Sequence, residues 1–199
     1  MAQQLAPALV EFQRLFTDCR TKLQLNLQFA LIGGLAVSTW GAVRATQDID
    51  FIADCDPSPI SDVAIREALT KNLQASNCAV EWRVGDHDDP IPLLLHLEMS
   101  PKFSNVGVDV LWAHKNWQRE AVQRAIGVDV EGTAISVLHP EDLILMKLDA
   151  GGPQDITDVE ALLATPTPQL NLGSLKKSAA RLRLSRLLEK CLRAVHAKR

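Results

Sequence analysis

Two aspartates separated by one residue begin a short apolar segment, and this feature constrains the fold more than any other. The segment reads DIDFIA, residues 48 to 53. Alternate residues of a β-strand face the same side, so Asp48 and Asp50 project together while the residues between them face apolar packing. Carboxylates this close repel, and a hard cation such as Mg²⁺ relieves the repulsion. The pattern predicts a metal-binding strand end; a pair of acids turned to solvent is the alternative.

A glycine pair precedes the acids. Gly33 and Gly34 follow the apolar segment LQFALI, residues 27 to 32, and lead into LAVSTW, which is typical of a short helix. Without side chains they let a phosphate approach the backbone N–H groups of a helix N-terminus, although a tight turn would also use them. Arg44 and Thr46, between the glycines and the acids, favour the phosphate-binding interpretation.

Length and composition bound the class of protein. The chain has 199 residues, 47% of them hydrophobic and 23% charged, which fits one globular domain with or without a helical appendage. No apolar run reaches the roughly 20 residues that span a bilayer, and the first residues do not resemble a signal peptide. A cytoplasmic protein without membrane contact is expected. The four cysteines form no CxxC pair, so neither a zinc site nor a disulfide framework is predicted.

Periodicity predicts an alternation of helices and strands. Helices are expected over residues 7–20, 60–74, 115–125, 140–150, 153–164 and 174–197, strands over 27–32, 48–53, 79–84, 92–98 and 106–112, and a hairpin over 127–137. Pro7 is placed in the first turn of the first helix. The order predicts an α/β (α+β) fold, a mixed β-sheet flanked by helices. Residues 1–138 form the expected core and 139–199 a helical part packed on it.

Charge is distributed unevenly along the chain. Residues 174–199 contain nine Lys or Arg and one acid, a net charge of +8, and subtracting this from the total of -3 leaves -11 on the preceding residues. Such a helix suits RNA phosphates. Alternatively, it packs on the acidic body and is purely structural.

The succession GG, LA, WG, Arg, Thr and DID over residues 27–54 resembles the nucleotidyltransferase superfamily, which has the DNA polymerase β-like fold. It is most similar to the small bacterial AbiEii toxin-like nucleotidyltransferases. The segment HPEDLILMKLDAGGPQDITDVEALL, within residues 136–164, is similar to the same group, which has a helical Lys followed by a D-x-x-D motif.

The resemblance implies a nucleotide site. By position, Gly33 and Gly34 would hold the triphosphate, and Asp48 and Asp50 would bind Mg²⁺ or Mn²⁺. Arg44 would steady the leaving pyrophosphate, with Thr46 beside it.

The resemblance also implies a third metal-binding carboxylate on a later strand. Asp109 is our choice because it alternates within the apolar segment NVGVDVLWA, where it would also help to deprotonate the acceptor. Asp129 and Glu98 are the alternatives. The five histidines share no spacing and are assigned no chemistry.

Lys147 lies on a helix that is apolar nearly all round, so its ammonium needs a partner or must extend to solvent. The resemblance implies contact with a nucleotide phosphate or with the third carboxylate. Asp155 and Asp158, on the next helix, are expected to support the site by pairing with Lys147 or Arg44. Relatives have arginines between the Lys and the D-x-x-D, whereas this chain reads AGGPQD, which leaves one phosphate contact unfilled.

The expected activity is transfer of a nucleoside monophosphate from an NTP to an acceptor hydroxyl. RNA is one acceptor, in a toxin–antitoxin-like system with an antitoxin partner. The alternatives are a small-molecule, antibiotic-type nucleotidyltransferase and a non-catalytic protein of the same fold that binds a nucleotide or a partner.

Overall fold

The computed structural model describes residues 2–42, 45–55, 62–86, 91–103, 106–130 and 132–197. In chain order the elements are α1 (Ala2–Lys22), β1 (Leu27–Ile32), α2 (Gly33–Thr39), β2 (Ile49–Cys55), α3 (Asp62–Gln74), β3 (Ala79–Val84), β4 (Leu93–Glu98), β5 (Gly107–Trp112), α4 (Asn116–Gln123), β6 (Ile126–Val130), β7 (Thr133–Val137), α5 (Pro140–Ala150), α6 (Pro153–Ala164), α7 (Leu172–Arg181) and α8 (Ser185–Ala197). A single 3₁₀ turn, Pro101–Phe103, lies between β4 and β5. Within these ranges no helix is long and apolar enough to cross a membrane.

The strands form one seven-stranded mixed sheet in the order β3-β4-β5-β2-β1-β7-β6. The pairs β1–β7 and β2–β5 are parallel, and the other four are antiparallel. Helices flank the sheet, as the sequence predicts, and the mixed α/β fold is confirmed. The parallel pairing of β2 with β5 brings residues far apart in sequence to the same end of the sheet.

One face of the sheet is closed by an aromatic cluster. Phe12 and Phe16 of α1 pack on Phe29 of β1 and Phe51 of β2, and the Phe12 ring lies 4.5 Å from that of Phe51, centroid to centroid. All four rings are buried. Because alternate residues face opposite sides, Phe51 on this face puts its neighbour Asp50 on the other.

The opposite face is partly covered by α5, which ion pairs hold to α4. Arg124 donates two hydrogen bonds to Asp142, at 2.6 and 2.5 Å, and the Lys115 ammonium lies 2.6 Å from an Asp149 oxygen. These contacts fix α5 at both ends.

Two predicted boundaries are wrong. The first helix begins at Ala2, and Pro7 lies inside it because Leu5 extends the apolar stripe toward the N-terminus. The predicted helix 174–197 is two helices, α7 and α8, joined by a turn in which Arg183 has φ +63°.

The break between α7 and α8 has a cause in the sequence. Leu175 and Ala179 are buried in α7, and a continuous helix would next turn Arg186 and Glu189 toward the core. The apolar residues of α8 are instead out of phase with that stripe, so a turn is needed for both helices to pack.

Candidate active site

A row of polar side chains crosses the open face of the sheet. Asp50 of β2 is paired with Asp109 of β5, Asp109 with His96 of β4, and His96 with Glu81 of β3. We call these four residues the polar row. Directly paired residues share a face. The row therefore brings together two of the carboxylates singled out from the sequence.

His96 is hydrogen-bonded to Asp109, with 2.6 Å between Nδ1 and Oδ1. Both side chains are partly exposed, at 26% and 33%. At the far end of the row, a hydrogen bond from the Arg83 guanidinium lowers the pKa of the Glu81 carboxyl.

Asp48 is exposed and precedes Ile49, the first residue of β2, so the strand starts one residue later than predicted. Its Oδ1 lies 3.9 Å from the point that a Cβ on Gly107 would occupy. Gly107 lies two residues before Asp109 on β5 and is paired with Glu98 of β4. Asp48 therefore lies next to the polar row, beside Gly107. Thr46 supports the loop by donating a hydrogen bond from its hydroxyl to the Asp48 carbonyl, at 3.3 Å.

The alternatives for the third carboxylate lie elsewhere. Asp129 is on β6, at the far edge of the sheet, where its side chain accepts a hydrogen bond from the Gly132 N–H at 3.3 Å. Glu98 is exposed at the end of β4. Asp109 is the one of the three that lies directly opposite Asp50.

Gly33 is in close contact with Asp50. Its φ of +64° disfavours any other residue, and a Cβ there would lie 1.9 Å from Oδ2 of Asp50. Helix α2 begins at Gly33 itself, and Gly34 is buried within it. The first glycine is therefore required by backbone conformation and by the neighbouring carboxylate together.

A cavity of about 200 Å³ opens beside these residues, between the sheet and α5. Its walls combine apolar side chains with three charged ones: Ile32, Gly33, Asp50, Leu111, Leu143, Met146, Lys147, Ala150 and Asp155. The mixture of apolar walls and a few convergent polar groups is typical of a small-molecule site.

Lys147 is held between two carboxylates of α6. Its Nζ lies 2.9 Å from Asp155 and 2.9 Å from Asp158, and its side chain is 12% exposed. The structure therefore contradicts the alternative in which the ammonium extends to solvent. Asp158 also accepts a hydrogen bond from Gln154.

The segment AGGPQD forms the turn that makes this contact possible. Gly151 ends α5 in the left-handed conformation, with φ +69°, and Asp155 accepts a hydrogen bond from the Gly152 N–H. The departure from the arginine-containing pattern therefore has a structural reason. Arg44 lies outside the described residues.

Sequence reasoning missed His96. The signal was present in LLHLE, where His96 interrupts an apolar strand with the same alternation that identifies Asp109. Its significance depends on the register of β4 against β5.

Comparison with solved structures gives the same fold. A nucleotidyltransferase-like protein from Paracoccidioides brasiliensis, described as antigenic, is 19% identical, with 91% of this chain and 92% of that chain covered and a TM-score of 0.51. The antibiotic-resistance factor ANT(2'')-Ia is 15% identical, with 98% and 96% covered and a TM-score of 0.47. No curated protein matches the sequence. Residues 10–186 match the family described as "Nucleotidyltransferase of unknown function (DUF6036)", and the chain belongs to this family.

Proposed function

We propose that this nucleotidyltransferase-family protein moves a nucleoside monophosphate from an NTP to an acceptor hydroxyl in a Mg²⁺-dependent reaction. The observation that carries the proposal is the direct pairing of Asp50 with Asp109, beside Gly33 and the cavity. Like charges directly opposite one another on paired strands are destabilising, so a site that keeps them has a use for both.

The chemistry of these residues fits a hard cation. Mg²⁺ takes oxygen ligands and is bound by one or two carboxylates together with substrate phosphates. Asp50 and Asp109 would hold it, with Asp48 at the rim; Mn²⁺ would be accepted by the same oxygens. As the side chains stand, no three His, Cys, Asp or Glu residues in the described ranges are grouped to hold an ion, so nucleotide phosphates would complete the set. The bound ion would neutralise charge developing on phosphate oxygens.

The chain's own residues would bind and orient the nucleotide. Gly33 and Gly34 would contact the phosphates through the backbone at the start of α2, where the Asp50 carboxylate occupies the space that a Cβ on Gly33 would fill. The cavity is smaller than the 300 Å³ or so of a typical ligand pocket, so it would take in part of the nucleotide. Lys147 would form part of the cavity wall, because Asp155 and Asp158 already neutralise the Lys147 ammonium. Asp109 would accept the proton of the attacking hydroxyl, while Thr46 and Arg44 would serve the pyrophosphate side.

The test replaces the two carboxylates of the DID segment. We expect Asp48→Asn with Asp50→Asn to abolish transfer of label from each α-³²P-NTP to cellular RNA or lysate in Mg²⁺. Asp129→Asn removes an exposed carboxylate from the same sheet, far from the site, and should leave transfer unchanged. If the double variant transfers label at the wild-type rate, the proposed site is not the active site.

We propose RNA as the acceptor because the cationic side chains of α7 and α8 face solvent. Lys176, Arg186, Lys190 and Arg193 are exposed, while the apolar stripes that pack on the body are buried, namely Leu175 and Ala179 of α7 and Leu188, Cys191 and Val195 of α8. Among the described residues of these helices, the ion pair to the body is that of Arg181 with Glu120, at 3.5 Å. The positive surface is therefore largely available to phosphates.

The same labelling experiment separates the alternatives. A labelled small molecule would identify an antibiotic-type enzyme, whose cationic substrate the acidic body would attract. Mg²⁺-dependent NTP binding without transfer to any acceptor would identify a non-catalytic member. Label that stays with RNA supports the toxin–antitoxin-like function, for which an antitoxin would be the natural partner.

A further inference from the structure

Asp109 lies between an acid and an imidazole. Its neighbour on one side is Asp50, which carries the same charge, and on the other side it is His96. A carboxylate can only accept a hydrogen bond, so the proton in the 2.6 Å contact belongs to Nδ1 of His96. Hydrogen bonds to a charged carboxylate are about twice as strong as neutral ones. His96 therefore supplies Asp109 with a hydrogen bond that offsets its repulsion by Asp50.

The hydrogen bond also fixes the orientation of the carboxylate. Oδ1 is engaged by His96, and among the described residues no hydrogen bond is seen to the other oxygen of Asp109, which would bind the ligand. The ring lies beside Gly107, where a Cβ would be 3.6 Å from Cε1 of His96, in ordinary van der Waals contact. Without this donor, the orientation of the carboxylate would be less constrained.

We propose that His96 is a positioning residue, which holds Asp109 in the orientation that binds the divalent cation and receives the acceptor proton. This inference rests on the proposed function. Partners that hydrogen-bond a metal-binding carboxylate cost about 10- to 100-fold in metal affinity or activity when they are removed.

The experiment exploits the geometry of asparagine. The side-chain amide nitrogen of Asn is the same number of bonds from Cα as Nδ1 of His, so His96→Asn can keep the donor while removing the rest of the ring. His96→Ala removes the donor altogether. His114→Ala, at an exposed histidine before α4, is the matched control.

The readout is Mn²⁺ binding to the full chain in the presence of an NTP analogue that cannot transfer its nucleoside monophosphate. Binding is measured from the electron paramagnetic resonance signal of the free ion against the analogue alone, together with the thermal midpoint and, with NTP, the rate of transfer. We expect His96→Ala to weaken Mn²⁺ binding about tenfold or more. The Mn²⁺ affinity of His96→Asn should stay within about threefold of the wild-type value, and that of His114→Ala should equal the wild-type value. The rate of transfer should follow the metal affinity in all three variants.

The outcomes separate this inference from the proposed function. If His96→Ala lowers the thermal midpoint but binds Mn²⁺ like the wild type, the histidine is structural and the inference fails, whatever the role of the aspartates. If His96→Asn weakens Mn²⁺ binding as much as His96→Ala does, the hydrogen bond from Nδ1 is not what supports metal binding. If Asp48→Asn with Asp50→Asn binds Mn²⁺ like the wild type, or the wild type binds none, the proposed metal site itself is wrong.

Discussion

Gly33 shows how one residue connects the backbone to the site. Its positive φ is a condition that several glycines of this chain share, including Gly132 at φ +78°. The contact with Asp50 is particular to Gly33, because a Cβ there would overlap the carboxylate, whereas nothing lies within 4 Å of a Cβ built on Gly132. A comparison of variants at Gly33 and Gly132 therefore distinguishes the effect of backbone strain from the effect of disturbing the site.

We expect Gly33→Ala and Gly132→Ala each to lose about 1–2 kcal/mol of stability through the left-handed conformation. Only Gly33→Ala should also displace Asp50, and a displacement of about 1 Å at a reacting group costs on the order of 100-fold in rate. Urea unfolding and nucleotidyl transfer on the same samples measure both effects. Equal rates for the two variants would mean that Asp50 does not need its present position.

The sequence predicts single residues well where the signal is local. Alternation within one strand is enough to put Asp109 on a polar face, and the two glycines before a helix indicate a close approach. His96 could not be assigned in this way. Its partner is 13 positions away along the chain, and the register of β4 on β5 decides whether the two side chains meet. Pairing of this kind is a property of the folded sheet.

At the scale of elements, α5 and α6 are joined by a largely buried charge cluster. Lys147 and Asp158 are 12% and 3% exposed, and Asp155 completes the cluster. Removing one partner of a buried ion pair leaves an uncompensated charge, which costs about 3–5 kcal/mol. The pair of Lys115 with Asp149 joins α4 to α5 in a much more exposed position, at 40% and 34%.

We expect Lys147→Met to lower the free energy of unfolding by about 3–5 kcal/mol, because the buried carboxylate of Asp158 loses the ammonium that lies 2.9 Å from it. Lys115→Met, which removes the same charge and fills the same volume, should cost about 1 kcal/mol or less. Chemical denaturation of both variants measures the difference. Similar losses would show that solvent screens the Lys147 cluster as well as it screens the exposed pair.

Helices and strands with a regular apolar periodicity can be predicted from the sequence, but the residues at which they end cannot. The phase of the apolar stripe changes between Ala179 and Leu188, and this change was readable, but the basic residues between them suit a continuous helix equally well. Packing decided the matter, because α7 contacts α5 whereas α8 contacts α6.

At the scale of the whole molecule, the dominant feature is the separation of charge between the basic C-terminal residues and the acidic remainder. The two explanations were an RNA-binding surface and a helix packed on the acidic body. Packing uses the apolar stripes, where Leu175, Leu188 and Cys191 are buried. The cations are mostly left in solvent, and that is the arrangement that a phosphate-binding surface needs.

Removing α7 and α8 would expose the core, so the test neutralises charge instead. We expect Arg186→Gln with Lys190→Gln, on the exposed side of α8, to weaken tRNA binding and to reduce the dependence of log K on log salt. For two lost phosphate contacts the slope should fall by about 1.4 to 1.8. Lys22→Gln with Lys71→Gln removes the same charge from exposed positions on α1 and α3 and should leave the slope unchanged. If the two double variants have equal slopes, tRNA responds only to the total charge of the protein. The basic helices would then have a purely structural role.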